Sequence, residues 1–209
     1  MSRLSRTSFW RYPLLCCLFS GTLLLLASCG QNAAAGQSPV QPGGTSAHQS
    51  CDMEASWAMG YKSLKELKRA AAMDLAVQGT FTAIQSTEGQ ASSGGSNGLL
   101  ATDFSFMISK VLLDPHHALK TSPASIIIHQ TGGRSGGTLH QVCDDPLFRV
   151  GEEAILFLHQ FSPGHYFVIG GPSGRFEVDN GRVQPVNNEG VKLSPGLTVQ
   201  QFYALLQKA

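Results

Sequence analysis

Glu153 to Gln160 reads EAILFLHQ. The run from Ala154 to Leu158 is apolar throughout, so it leaves no polar face for water. A short strand of that composition is buried on both sides and sits centrally in a sheet. Downstream, His165 to Gly170, Arg175 to Asp179 and Arg182 to Val186 are short strand candidates. They are split by a Gly-Gly-Pro turn and by the turn Asp179-Asn180-Gly181. Leu197 to Leu206 then reads as a closing helix, with Leu197, Phe202, Leu205 and Leu206 as its apolar set.

Upstream, Ser125 to Gln130 and Thr138 to Cys143 flank a Gly-rich turn. Asp103 to Leu113 begins by alternating, with Phe104, Phe106 and Ile108 on one face, and ends as an apolar run. Gly89 to Gly98 (GQASSGGSNG) is a loop. Leu75, Val77, Thr80 to Thr82 and Ile84 follow a period of two and predict a first strand. Before it, Ser63 to Ala72 predicts a helix. Leu64, Leu67 and Ala71 fall on one face, Lys65, Lys68 and Arg69 point away, and Ser63 with Glu66 forms a capping box. The order is helix, about eight short strands, helix. Without βαβ alternation, the strands are expected to form a small antiparallel sheet, curled or closed into a barrel.

The start Gly79-Thr80, the end Val111-Leu112-Leu113 and the run Phe148 to Leu158 (FRVGEEAILFL) resemble the strands of exported OB-like β-barrel domains. The resemblance implies an OB-like barrel over roughly residues 63–209. Such barrels host oligonucleotides, sugars, peptides or purely structural roles, so the fold alone fixes no function.

The beginning of the chain reads as an address. Arg3, Arg6 and Arg11 precede the apolar run Pro13 to Ala27, with no acid between them. This is a secretory signal, and it is short for a spanning helix. Leu26-Ala27-Ser28-Cys29 resembles the lipobox of bacterial lipoproteins. That resemblance implies cleavage before Cys29 and attachment of lipid to its thiol. Two or three acyl chains anchor stably where one does not. The protein is therefore expected on the exported side of the cell membrane or the outer membrane. Gly30, where inner-membrane lipoproteins often carry Asp, favours the outer membrane of a two-membrane envelope.

Three units follow: a signal over 1–28, a lipidated Cys and tether over 29–50, and a β-rich domain over 51–209. Gly30 to Ser50 has no charge, no aromatic ring and one large aliphatic residue, Val40. It cannot bury enough surface to fold, and as a coil it reaches about 25 Å.

The whole chain carries 15 Lys+Arg against 14 Asp+Glu, a formal charge of +1, and only 14% of its residues are charged. Removing residues 1–28 subtracts three arginines and no acid, which makes the remainder weakly acidic. No basic surplus exists to neutralise phosphates, so a nucleic-acid partner is excluded. Cys16 and Cys17 leave with the signal. With Cys29 lipidated, Cys51 and Cys143 remain as one pair, and an exported compartment permits their disulfide. Neither has a second ligand at zinc-site spacing.

Gly133-Arg134-Ser135-Gly136-Gly137 matches the G-x-S-x-G pattern of hydrolases. It lies between two strand-like runs, however, where its glycines read as turn residues. His129, His140 and His159 each sit on a candidate strand beside a Gln. A hairpin symmetric about residues 134 and 135 places His129 directly opposite His140. Cross-strand Cβ atoms lie about 4.5–5.5 Å apart, within reach of a shared Zn or Cu ion, and His159 is expected to join from an adjacent strand. Against this stands the bland role of solvent-facing histidines. Glu152 and Glu153, adjacent in a strand, point to opposite faces and make no acid–base pair. Arg149 and Arg175 are single candidate anion contacts. Trp57, Met59 and Tyr61 read as packing beneath the first helix.

No catalytic constellation emerges. The expected function is that of a membrane-anchored binding or interaction domain, with an envelope protein or a small ligand as partner. The alternatives are a metal-binding or sensing lipoprotein using His129, His140 and His159, and an envelope hydrolase using Ser135. No resident cofactor is expected beyond that possible metal.

Overall fold

The computed structural model describes residues 51–54, 57, 59–86, 100–119 and 125–209. The signal segment, the lipobox, Cys29, the tether and the loop Gly89 to Gly98 lie outside the described residues. The elements run α1 (Leu64–Arg69), β1 (Leu75–Ser86), β2 (Ala101–Leu113), β3 (Ser125–Ser135), β4 (Thr138–Gln141), β5 (Glu153–Ser162) and β6 (His165–Val168). A 3-10 turn over Gly171–Gly174 leads to β7 (Arg175–Asp179), β8 (Arg182–Pro185) and α2 (Val199–Lys208).

Five strands close into a ring in the order β1-β2-β3-β6-β5, with β5 pairing back onto β1. β7 and β8 extend the sheet from β5, and β4 forms a hairpin with β3. The expected β-rich sheet is thus curled into a near-barrel ring. It is not antiparallel throughout, because β3 and β6 pair in parallel, with Ile127 opposite His165 and His129 opposite Phe167. Closing a five-strand ring requires one pair to run the same way.

The apolar run in β5 has a direct cause. Ala154, Leu156 and Leu158 point into the barrel, where they meet Val77, Phe81, Phe106, Ile128 and Tyr166. Ile155 and Phe157 point out of the ring into a second core. There they pack with Leu67, Phe176, Phe202 and Leu206 beneath the two helices. Strand β5 is thus sandwiched, and neither face tolerates a polar residue. Phe148, from the segment leading into β5, caps the barrel interior. Its ring stacks on Phe81 at 4.1 Å and meets Phe104 edge-on at 5.4 Å. Gly79 lies in the middle of β1, at a register shift against β2. A Cβ there would stand 2.1 Å from the Met107 carbonyl oxygen, so only glycine fits.

Helix α1 is shorter than its sequence pattern. The Ser63 hydroxyl accepts from the Glu66 amide, as a cap should, but the Glu66 carboxylate turns to the Lys62 amide, so the capping box is incomplete. The complete box belongs to Thr198 and Gln201 at the start of α2. Lys68 of α1 donates to the Leu206 carbonyl near the end of α2, a favourable place for a cation.

Candidate functional site

One row of residues crosses the outer wall of the barrel. Register pairs Asp103 on β2 with His129 on β3, His129 with Phe167 on β6, and Phe167 with His159 on β5. Asp74, just before β1, completes the row beside His159. Residues paired across strands point to the same face, so the band reads acid, imidazole, phenyl, imidazole, acid. Asp103 Oδ1 lies 2.7 Å from His129 Nδ1, and Asp74 Oδ2 lies 2.7 Å from His159 Nδ1. The Ala72 carbonyl also lies 3.0 Å from His159 Nδ1. Carboxylate and carbonyl oxygens only accept, so Nδ1 carries the proton on both rings and Nε2 is left free.

Phe161, also on β5, stacks on Phe167 with ring centres 6.0 Å apart, and approaches His129 at 5.7 Å and His165 at 6.0 Å. Phe161 is 49% exposed and Phe167 39%. Two large apolar rings held in water by flanking imidazoles form the one exposed aromatic cluster among the described residues.

Beside this band opens a cleft of about 250 Å³. Trp57 and Phe167 supply aromatic walls, His129 and Thr131 line one side, and Asp145 and Gly171 the other. Trp57 is placed by two contacts. Its Nε1 donates to Asp144 Oδ2 at 3.2 Å, and its ring lies against Gly171, where a Cβ would come within 2.4 Å. Gly171 also has φ +54°, a conformation glycine adopts freely.

A buried ion network stands behind the cleft. Arg175 is 1% exposed, donates to Asp145 at 3.1 Å, to the Pro146 carbonyl at 2.6 Å and to Glu152 at 2.8 Å, and lies over the Phe148 ring. Burial pushes the Asp145 carboxyl above the usual carboxylate range, against the pull of Arg175. Gln130 clasps the same segment by donating to the Pro146 carbonyl and accepting from the Phe148 amide. Arg175 is therefore a structural cation, not a surface anion contact. Asp144 and Asp145 each hold a side chain, Asp144 the Trp57 indole and Asp145 the Arg175 guanidinium.

The expected pairing of His129 with His140 is corrected by the hairpin. β3 and β4 pair Gly132 with Gln141, Gly133 with His140 and Ser135 with Thr138. The turn is Gly136-Gly137, with φ of +57° and +84°. A two-residue hairpin turn of this kind needs positive φ at both central positions, which two glycines supply and Arg134-Ser135 would not. His140 thus faces Gly133. Its Nδ1 pairs with Asp52 Oδ2 at 2.6 Å, and Asp52 Oδ1 accepts from the Gln141 amide. The bond from His140, with that amide, holds Asp52 below the usual carboxylate range.

His140 works as a latch on the segment entering the domain. That segment is also held by the Met53–Val142 bridge and by Cys51 and Cys143, whose Cα atoms stand 4.8 Å apart at disulfide bonding distance. His159 is separated from His129 by a whole strand, with Phe167 between them. Among the described residues, no three His, Cys, Asp or Glu side chains converge to hold a metal ion.

Ser135 sits at the exposed end of β3 and hydrogen-bonds no imidazole among the described residues. Glu152, just before β5, turns to Arg175, and Glu153, the first residue of β5, turns to Gln78, so the two acids diverge as expected. Tyr61 is core, Met59 is exposed, and Trp57 belongs to the cleft. The band was missed because its members come from four strands. The only sequence signal for it is that Phe161 and Phe167 fall at positions where the strand pattern calls for solvent.

No protein-family model matches the chain, and no curated protein matches it.

Proposed function

We propose that this chain is a lipid-anchored protein of the bacterial envelope whose barrel binds a ligand or partner through the wall formed by β3, β6 and β5. The observation that carries this reading is the exposed pair Phe161 and Phe167, flanked by the carboxylate-braced His129 and His159. Exposed aromatic surface costs solubility and is kept where something covers it. Each brace fixes a ring and leaves one nitrogen free for a directional hydrogen bond. The wall belongs to a closed barrel, so it is ordered before binding and little entropy is lost on contact. The lipobox and the Cys51–Cys143 pair support an exported location.

The test is native mass spectrometry of the protein extracted from its own membranes. The account expects a lipid adduct that Cys29→Ser removes, and a bound species that Phe161→Ser with Phe167→Ser removes while the fold survives. A wild-type protein with no lipid would defeat the anchor. A bound species retained by the double variant would defeat the binding wall.

A metal-binding reading keeps one supporting observation: each Nδ1 is braced by a carboxylate, the arrangement found behind metal-ligating imidazoles. The rings are too far apart to share an ion, so it needs a further ligand from a partner. Unchanged zinc or copper affinity in His129→Ala and His140→Ala variants ends it.

A further inference from the structure

The geometry points to an organic cation, an ammonium head group, as the ligand of the cleft between Trp57 and Phe167. This names the ligand chemistry of the same face and rests on its being a binding face. Two walls are aromatic, and ring faces attract cations. Asp145, nine-tenths buried, also lines the cleft. Two further acids bond lining residues: Asp144 holds the Trp57 indole and Asp103 braces His129. Among the described residues, no Lys or Arg lines the cleft. Arg175 is sealed behind it with its guanidinium against Phe148, and it faces three carboxylates, Asp145, Glu152 and Glu177. Carboxylates outnumber the guanidinium in that network, and Asp144, on the Trp57 indole, adds a further acid beside the cleft. An anion would meet Asp144 and Asp145, and a neutral apolar group would strip water from carboxylates without compensation. A small alkylammonium gives the rings their apolar contact and the acids their counter-charge. About 250 Å³ accommodates a four-carbon cation.

The chain has two tryptophans, and Trp10 lies in the proposed signal, so the chain from Cys29 onward has Trp57 as its sole indole reporter. Its emission is followed during titration with tetramethylammonium chloride. tert-Butanol serves as the neutral compound of the same shape, and sodium chloride controls for ionic strength. The expected result is a saturable change with tetramethylammonium and none with either control. Phe167→Leu should weaken binding about tenfold, as loss of a desolvated cation–aromatic contact would. Asp144→Asn should weaken it about threefold, since Asn still accepts from the indole and only the charge is lost. Tighter binding of n-butylammonium than of tetramethylammonium identifies a lysine-type head group, and the reverse a quaternary one. Either supports an ammonium site. Equal response to tert-butanol, no saturation, or full affinity in both variants overturns the inference. None of these results touches the dependence of a bound envelope species on Phe161, which tests the wall itself.

Discussion

Replacing Arg175 by Met leaves Asp145 and Glu152 without their guanidinium, in places where water reaches poorly. Removing one partner of a buried ion network costs about 3–5 kcal/mol, and the midpoint of urea unfolding should fall accordingly. Arg175→Lys should rescue little, because an ammonium cannot reproduce the planar fork that serves Asp145, the Pro146 carbonyl and Glu152 together. Asp52 gives a pH prediction of opposite character. Its carboxyl is held below the usual range, so its contribution is present above the ordinary aspartate pKa and is lost as pH falls through the lowered one. As pH falls below about 4, the Gln141 amide should lose protection from hydrogen exchange, whereas Asp52→Asn should show the reduced protection already at about pH 5. Neither role was readable from the residue alone. Arg175 is one arginine in a short strand, and only the fold reveals that it points inward.

The segment entering the domain, Cys51 to Met53, is an element made by its attachments. Reducing the Cys51–Cys143 pair, or replacing both with Ser, frees a loop with a sequence separation of 92 residues. In the chain-entropy view this costs up to about 4–5 kcal/mol, and thermal unfolding with and without reductant measures it. The same treatment loosens the start of the domain near Trp57. At this scale β5 was fully legible, since a strand apolar on both faces can only be sandwiched. Both helices and the short strands β7 and β8 were legible from periodicity and turns. The β3–β4 hairpin was misread by four positions in the pairing sum because the turn was centred on Arg134-Ser135. Positive φ at both turn positions selects Gly136-Gly137, and that criterion was available in the sequence. Gly79→Ala should fail to fold or lose solubility, because its Cβ would meet the Met107 carbonyl across the bulge.

Across the whole molecule, barrel closure followed from many short strands without βαβ alternation. The parallel β3–β6 contact did not, since strand direction within a ring depends on connections that periodicity does not encode. For the same reason the sequence does not assemble the aromatic band: Asp103, His129, Phe167 and His159 become neighbours only through three separate pairings. The expected export signal and lipobox are local patterns in the sequence, and the proposed export would turn this wall toward an extracytoplasmic partner. The most direct measurement is in-cell photocrosslinking with a benzophenone amino acid placed at Phe161 and, separately, at Val150 and Ile84. All three positions are exposed, at 49%, 55% and 46%, and the latter two lie off the band. The account predicts a discrete adduct from position 161 and none from 150 or 84. No adduct from 161, or the same adduct from all three, would contradict it.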